Sequence, residues 1–139
     1  MKKILALLPL LIVAACVAQS VGQGGNGGNT DLDRSIRGAQ AQPPRACIGV
    51  QQLGTTRVDP QTRSILFEGR DGLLYVNRIR EGCPNLHRHM TLVTNTPSGH
   101  LCEGDRIELR DVDGSSRISC LIGAFTPYRA GAGPPAPGG

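Results

Sequence analysis

The sequence predicts an all-β domain, most simply an antiparallel meander that forms a small open barrel or sandwich and is held by two disulfides. Three observations predict it: short apolar runs alternate with turn signals, no stretch of ten residues shows helical periodicity, and four cysteines are spread over residues 45–129. A domain of about 85 residues buries only about 60% of the surface of its unfolded chain. Two disulfides would therefore supplement a small core.

The predicted strands follow one another at short intervals. The first is C-I-G-V-Q-Q from Cys47, and a D-P-Q-T turn at 59–62 precedes S-I-L-F-E. Asp71-Gly72 joins that run to L-L-Y-V-N, and Asp113-Gly114 joins R-I-E-L-R to R-I-S-C-L-I. An Asp-Gly pair between apolar runs is typical of a β-hairpin.

The last hairpin has a predicted register. A loop at Asp113-Gly114 places Leu109 opposite Ile118 and Ile107 opposite Cys120, so that the apolar side chains share one face. The other face then carries Arg106, Glu108 and Arg110.

This register limits how the four cysteines can pair. Cys102 lies about 16 Å along the strand from the residue opposite Cys120, whereas a disulfide needs Cα atoms within about 7 Å. Two connectivities remain. The preferred one is Cys83–Cys102 with Cys47–Cys120, because it closes a local loop and joins the two ends of the domain. The alternative is Cys47–Cys102 with Cys83–Cys120.

Residues 1–18 have the pattern of an export signal. Two lysines precede an apolar run at 4–15, which is too short for a transmembrane helix. The following V-A-A-C resembles a bacterial lipobox, which predicts that Cys16 is lipidated and is the first mature residue. Val17 is not an aspartate, so we expect sorting to the outer membrane. The alternative is plain secretion after cleavage behind Ala18.

The ends of the mature chain are predicted to be flexible. Residues 19–44 are rich in Gly, Asn and Gln and form a tether of roughly 30 Å, with one possible helical turn that places Leu32 and Ile36 on one side. Residues 130–139 form a disordered Gly/Pro tail. The predicted protein is periplasmic, and the bacterial membrane is its first partner through the lipid anchor.

Charge and size exclude several classes of protein. Both lysines belong to the signal, so 15 basic residues become 13 against 11 acids, a net charge of +2. The length excludes a multidomain enzyme. We expect no nucleic-acid partner, given export and an aromatic content of 3%. The arginines are predicted to form a mixed solvated surface; alternatively, some align on a sheet face and bind phosphate or carboxylate groups of the envelope.

Candidate chemistry is sparse. One hypothesis is a zinc site. Its ligands would be His87, His89 and His100, and a water molecule would occupy the remaining coordination position of the zinc ion. The competing interpretation places H-R-H in a solvated loop and His100 in a turn. D-V-D-G-S-S resembles the start of a calcium loop, but its twelfth position is Ile122 rather than glutamate, so a hairpin turn is predicted. We predict no catalytic residue, metal or cofactor.

The order C-I, T-R-V-D, I-L-F, Y-V-N-R-I, C-P-N-L, L-C-E-G-D-R-I, C-L-I-G-A-F-T-P resembles a family of small bacterial envelope proteins of unknown function. The resemblance covers about 47–127. It implies that four positions are framework cysteines: Cys47, Cys83, Cys102 and Cys120. Asn77, Pro84 and Asp105 also match the pattern, without an assigned role, and H-R-H does not belong to it.

Two functions follow as hypotheses. The first is a non-catalytic binding or structural module of the cell envelope, with an envelope protein or glycan as partner. The alternative is a small metal-dependent or hydrolytic periplasmic enzyme that uses His87, His89 and His100.

Overall fold

A computed structural model describes residues 30–130. The predicted signal peptide with Cys16, the first part of the tether and residues 131–139 lie outside the described residues. The described part contains one short α-helix, α1, one turn of 3-10 helix at Val50–Gln52, and nine strands: α1 Asp31–Ser35, β1 Gln40–Ala41, β2 Cys47–Gly49, β3 Leu53–Asp59, β4 Ser64–Gly69, β5 Leu73–Gly82, β6 Met90–Val93, β7 His100–Cys102, β8 Arg106–Asp111 and β9 Arg117–Arg129. Within 30–130, no helix has the length and apolarity needed to cross a membrane.

The strands form a nearly closed antiparallel barrel, which confirms the predicted fold class. The sheet order is β3-β4-β5-β9-β8-β6, and β1 adds to the last part of β9. The two end strands lie side by side around a hollow of about 380 Å³ lined by Leu53 of β3 and Met90 of β6, among others. β2 and β7 form a separate two-stranded ribbon.

Both Asp-Gly hairpins are present. In the last one Ile107 pairs with Cys120 and Leu109 with Ile118, so the predicted register is confirmed. The β4–β5 hairpin has a three-residue loop, 70–72, rather than a two-residue loop. Gly72 has a φ of +77°, and a left-handed residue at the end of such a loop is a common solution.

The barrel interior holds the main core. Its largest fully buried side chains include Phe67, Tyr75, Ile65, Leu109 and Phe125. The rings of Phe67 and Phe125 meet edge to face, with centroids 5.8 Å apart. Burying each such apolar side chain contributes about 1.5–3 kcal/mol, so two phenylalanines suffice to anchor this narrow interior.

A second apolar cluster lies on the outside of the barrel, and it corrects the predicted tether. Leu32 of α1 packs on Leu66 and Val76, with Ile36 partly buried beside them. Residues 30–44 are therefore structured up to the domain predicted to begin at 45. The possible helical turn with Leu32 and Ile36 on one side is present, because the outer face of β4–β5 is apolar and α1 covers it.

The disulfides are Cys47–Cys102 and Cys83–Cys120. The preferred pairing, Cys83–Cys102 with Cys47–Cys120, was wrong and the alternative is correct; the exclusion of a Cys102–Cys120 bridge is confirmed. The reason is strand pairing. Cys47 lies directly opposite Cys102 in the β2–β7 ribbon, and Gly82 pairs with Cys120, which places Cys83 beside it. The Cα atoms of Cys47 and Cys102 are 4.0 Å apart, and those of Cys83 and Cys120 are 5.0 Å apart.

Asp59 joins α1 to the barrel. Its side chain is buried, and its carboxylate accepts hydrogen bonds from the backbone N–H groups of Leu32 at 2.9 Å, Gln61 at 3.0 Å and Thr62 at 3.4 Å. Burial by itself raises the pKa of this carboxyl group, but these hydrogen bonds outweigh it and hold the pKa below the ordinary value of 3.8.

Asp59 therefore makes stability depend on acid pH. Because its pKa is lowered in the folded state, its contribution is fully present above the unfolded value, about pH 4, and is lost as the pH falls from there through the folded pKa. We expect Asp59→Asn to lower the free energy of unfolding at pH 7 by about 1–2 kcal/mol. In a plot of that free energy against pH, the decline below about pH 4, the acid limb, should be flatter in this variant. Urea unfolding between pH 7 and 2.5 measures both effects.

Asp113→Asn is the matched control. Its carboxylate is exposed in the β8–β9 loop, so this change should alter the acid limb less. An unchanged acid limb in Asp59→Asn would show that Asp59 does not carry the pH dependence.

Candidate functional site

The three histidines lie in two parts of the described fold, the loop before β6 and the start of β7. His87 and His89 lie in the loop before β6, with ring centroids 6.3 Å apart, and His87 Nε2 is 3.2 Å from Asp111 Oδ2. His100 begins β7, and its Nδ1 is 3.0 Å from the Ser98 carbonyl oxygen. Between residues 30 and 130 no three His, Cys, Asp or Glu side chains are placed to hold a metal ion. The H-R-H stretch is a loop, as the competing interpretation predicted.

The D-V-D-G-S-S stretch forms the loop of the β8–β9 hairpin. Asp113 Oδ1 accepts a hydrogen bond from the backbone N–H of Ser115 at 2.9 Å. Hydrogen bonds from the side chain and backbone of Ser115 lower the pKa of Asp113. The hairpin-turn prediction is confirmed, and its Asp side chain serves the turn.

The buried Asn77 has a structural role that the sequence did not reveal. Asn77 lies in β5 opposite a register shift of β9, and its side chain is completely buried. Its Nδ2 donates to the Gly123 carbonyl at 2.6 Å, and its Oδ1 accepts from the Gly123 N–H at 3.2 Å. The amide group thus satisfies the backbone of β9 where the regular ladder is interrupted.

Asp71, Tyr75 and Arg45 form a second structural cluster. The Tyr75 hydroxyl donates to Asp71 Oδ2 at 2.6 Å, and the Arg45 guanidinium lies 5.8 Å from the centre of the Tyr75 ring. Burial and the adjacent Asp71 raise the pKa of Tyr75. Burial acts to raise the pKa of Asp71, but hydrogen bonds, above all the one from Tyr75, lower it overall. The cluster closes the β4–β5 loop onto the barrel.

A polar groove crosses the outer face of β6, β8 and β9. It consists of two hollows of about 210 and 340 Å³, which both reach Asn95, Arg106 and Ile107. The first hollow lies under the loop between β6 and β7, and the second lies on the sheet face. The polar groove is defined here by six side chains: Asn95, Thr96, Ser98, Arg106, Arg110 and Ser119.

Strand alternation explains why arginines line this groove. In β8, Ile107 and Leu109 are buried in the core, which turns Arg106, Glu108 and Arg110 outward. Arg117 of β9 pairs directly with Arg110. The sequence predicted that the three β8 residues share a face.

The charges on this face do not cancel. Glu108 Oε1 forms an ion pair with Arg110 Nε and lies 3.2 Å from Arg117 Nε, so one carboxylate serves two guanidinium groups. Arg106 Nη1 is 3.3 Å from Ser119 Oγ, and no ion pair to an acidic side chain is formed by Arg106 within 30–130. Three arginines stand against one glutamate on this sheet face, whereas in the lining of the groove Arg106 and Arg110 are matched by Glu108 and Asp105.

Comparisons with models of protein families, with curated proteins and with solved structures find no match for this chain.

The remaining residues singled out by sequence are explained locally. Asp105 Oδ2 accepts a hydrogen bond from the Cys102 N–H at 2.8 Å and so fixes the turn between β7 and β8. Pro84 is exposed beside Cys83. The part of the groove formed by the β6–β7 loop, with Asn95, Thr96 and Ser98, had no sequence signal beyond its polar composition.

Proposed function

We propose that this chain is an exported, non-catalytic binding module of the bacterial cell envelope, and that the polar groove is its binding site. In this proposal the domain is periplasmic and is anchored to the outer membrane through a lipid on Cys16. It belongs to the small four-cysteine envelope proteins that its sequence resembles. The observation that carries the proposal is Arg106, an exposed guanidinium between two hollows whose only described partner is a hydroxyl group.

The cysteines support the export part of the proposal. All four form disulfides, and Cys83 and Cys120 are completely buried. Such bridges are compatible with an oxidising compartment outside the cytoplasm. The lipobox-like V-A-A-C and the basic, apolar N-terminal pattern supply the rest of the argument.

The distribution of perturbed side chains favours binding over catalysis. Functional acids and bases usually combine a shifted pKa with a cleft. Four described groups have a resolved pKa shift, and all of them lie outside the polar groove: Asp59, Asp71, Tyr75 and Asp113. Each has a structural explanation given above. The groove offers guanidinium, amide and hydroxyl groups, which bind ligands without covalent chemistry, beside the His100 ring and the carboxylates of Asp105 and Glu108.

Crosslinking in intact cells tests this function. A photoreactive amino acid at Thr96, in the groove, should give a discrete crosslinked product from the envelope. The same amino acid at Arg70, in the exposed β4–β5 loop, is the control and should give none. Equal products at the two positions, or no product at Thr96, would contradict the proposal.

Cell fractionation tests the anchor. The wild-type chain should sediment with the outer membrane, and Cys16→Ser should appear in the soluble periplasmic fraction or remain unprocessed. Membrane association and processing that are identical in Cys16→Ser would exclude lipidation at this residue.

A further inference from the structure

We infer that the ligand of the polar groove is an acidic glycan, with a sugar carboxylate bound by Arg106 and sugar hydroxyl groups bound in the loop hollow. This inference rests on the proposed function and names the chemical class of its ligand.

The carboxylate preference follows from the arginines. A guanidinium group presents planar pairs of N–H donors that match the two oxygens of a carboxylate. The chain already demonstrates this on the same face, where Arg110 and Arg117 hold the Glu108 carboxylate. Arg106 is exposed and points from the same side of β8 as Arg110, but its described contact is the Ser119 hydroxyl at 3.3 Å. A ligand carboxylate would pair with Arg106 as the Glu108 carboxylate pairs with Arg110 and Arg117.

The sugar preference follows from the loop hollow. Asn95, Thr96 and Ser98 line it with amide and hydroxyl groups, which both donate and accept hydrogen bonds and so match a ligand rich in hydroxyl groups. No Phe, Tyr or Trp ring lines either hollow of the groove, and the ring that the loop hollow offers is the smaller imidazole of His100. Charge at Arg106 must therefore supply much of the affinity.

Other polymers fit this surface less well. An extended peptide usually adds to a free strand edge, and β8, which carries Arg106, offers none because β6 and β9 pair with it. The outer edges of β6 and β7 are unpaired in the described sheets. A peptide helix needs an apolar groove, whereas the lining here mixes polar side chains with Val93, Leu101 and Ile107. Two acidic groups, Glu108 and Asp105, face or border the groove; Glu108 is held by two arginines and Asp105 accepts the Cys102 N–H. Both acids thus have partners within the protein.

Calorimetric titration of the purified mature chain with hexagalacturonate, which carries one carboxylate per sugar, tests the inference. Maltohexaose supplies the sugars without charge, and hexaglutamate supplies the charge without sugars. We expect binding of hexagalacturonate that weakens at least about tenfold in Arg106→Gln and weakens with added salt. Maltohexaose and hexaglutamate should bind at least about tenfold more weakly than hexagalacturonate.

Arg70→Gln is the matched control, because it removes the same charge from the exposed β4–β5 loop. That loop lies near the end of β9, about ten residues along β9 from the residue that pairs with Arg106, or roughly 30 Å. This variant should bind like the wild type. Three results would overturn the inference: no binding of hexagalacturonate, equal binding by Arg106→Gln and the wild type, or equal binding of hexaglutamate. A groove-specific crosslink in cells together with any of these would retain the proposed function and reject the acidic glycan.

Discussion

Replacing both cysteines of the buried disulfide, Cys83→Ala with Cys120→Ala, is expected to lower the free energy of unfolding by about 4–5 kcal/mol. The bridge ties the end of β5 to β9 over a sequence separation of 37 residues. Closing a loop of that length contributes about 3–4 kcal/mol in the chain-entropy model. Both side chains are also fully buried, so removing the two sulfurs leaves a cavity that costs about 1 kcal/mol more. Urea unfolding of the oxidised proteins measures the difference.

The control is the other bridge, Cys47→Ala with Cys102→Ala. Its sequence separation is 55 residues, so the entropic loss is similar. Cys47 is exposed, however, and little core packing is lost. We expect the Cys83–Cys120 pair to have the larger effect. A larger effect of the Cys47–Cys102 pair would contradict the assignment of Cys83 and Cys120 to the core.

Asn77→Leu has the second large expected effect, a loss of about 2–4 kcal/mol in the free energy of unfolding. The side chains are similar in size, but leucine cannot hydrogen-bond the N–H and C=O groups of Gly123, which lies buried in β9. Each buried backbone group left without a partner costs about 1–3 kcal/mol. Chemical denaturation monitored by circular dichroism gives the value.

Asn95→Leu provides the comparison for Asn77→Leu. Asn95 is exposed at the groove, so the same substitution should change stability by less than about 0.5 kcal/mol. If the two variants unfold at the same denaturant concentration, the Asn77 amide does not support the irregular part of β9.

The sequence was most informative where structure is local. Alternation of apolar and charged residues predicts the register of the last hairpin, because a shift of one residue would bury Arg106 and expose Ile107. The Asp-Gly pairs mark both hairpins, although both loops, 70–72 and 112–116, are longer than two residues. The spacing of these short strands also predicts an antiparallel barrel or sandwich, and the structure shows the barrel.

Contacts between distant residues could not be predicted in this way. The five-residue helix α1 is too short to be stable alone; Asp59 holds it from 27 residues away. The preferred disulfide pairing was wrong for the same reason. Local loop closure favoured Cys83–Cys102, whereas the long pairing of β5 with β9 and the β2–β7 ribbon decide the partners.

The sequence predicts the part of the candidate site on β8 but not the part formed by the β6–β7 loop. Alternation in β8 places Arg106, Glu108 and Arg110 on one face, and an arginine-lined sheet face was among the alternatives from sequence. The hollow beside Arg106 depends on how the β6–β7 loop folds over β8, and polar composition does not determine that path. The described residues, 30–130, contain no cluster of His87, His89 and His100 that could hold a metal ion.

Disulfide mapping of the chain isolated from the envelope tests the central claim most directly, namely that an exported barrel is held by these two bridges. Cleavage after arginine places the four cysteines in four separate peptides: 46–57, 81–88, 89–106 and 118–129. Mass spectrometry without reduction should find 46–57 joined to 89–106, and 81–88 joined to 118–129. Free thiols, or 81–88 joined to 89–106, would contradict the fold and the oxidising compartment on which the proposed function depends.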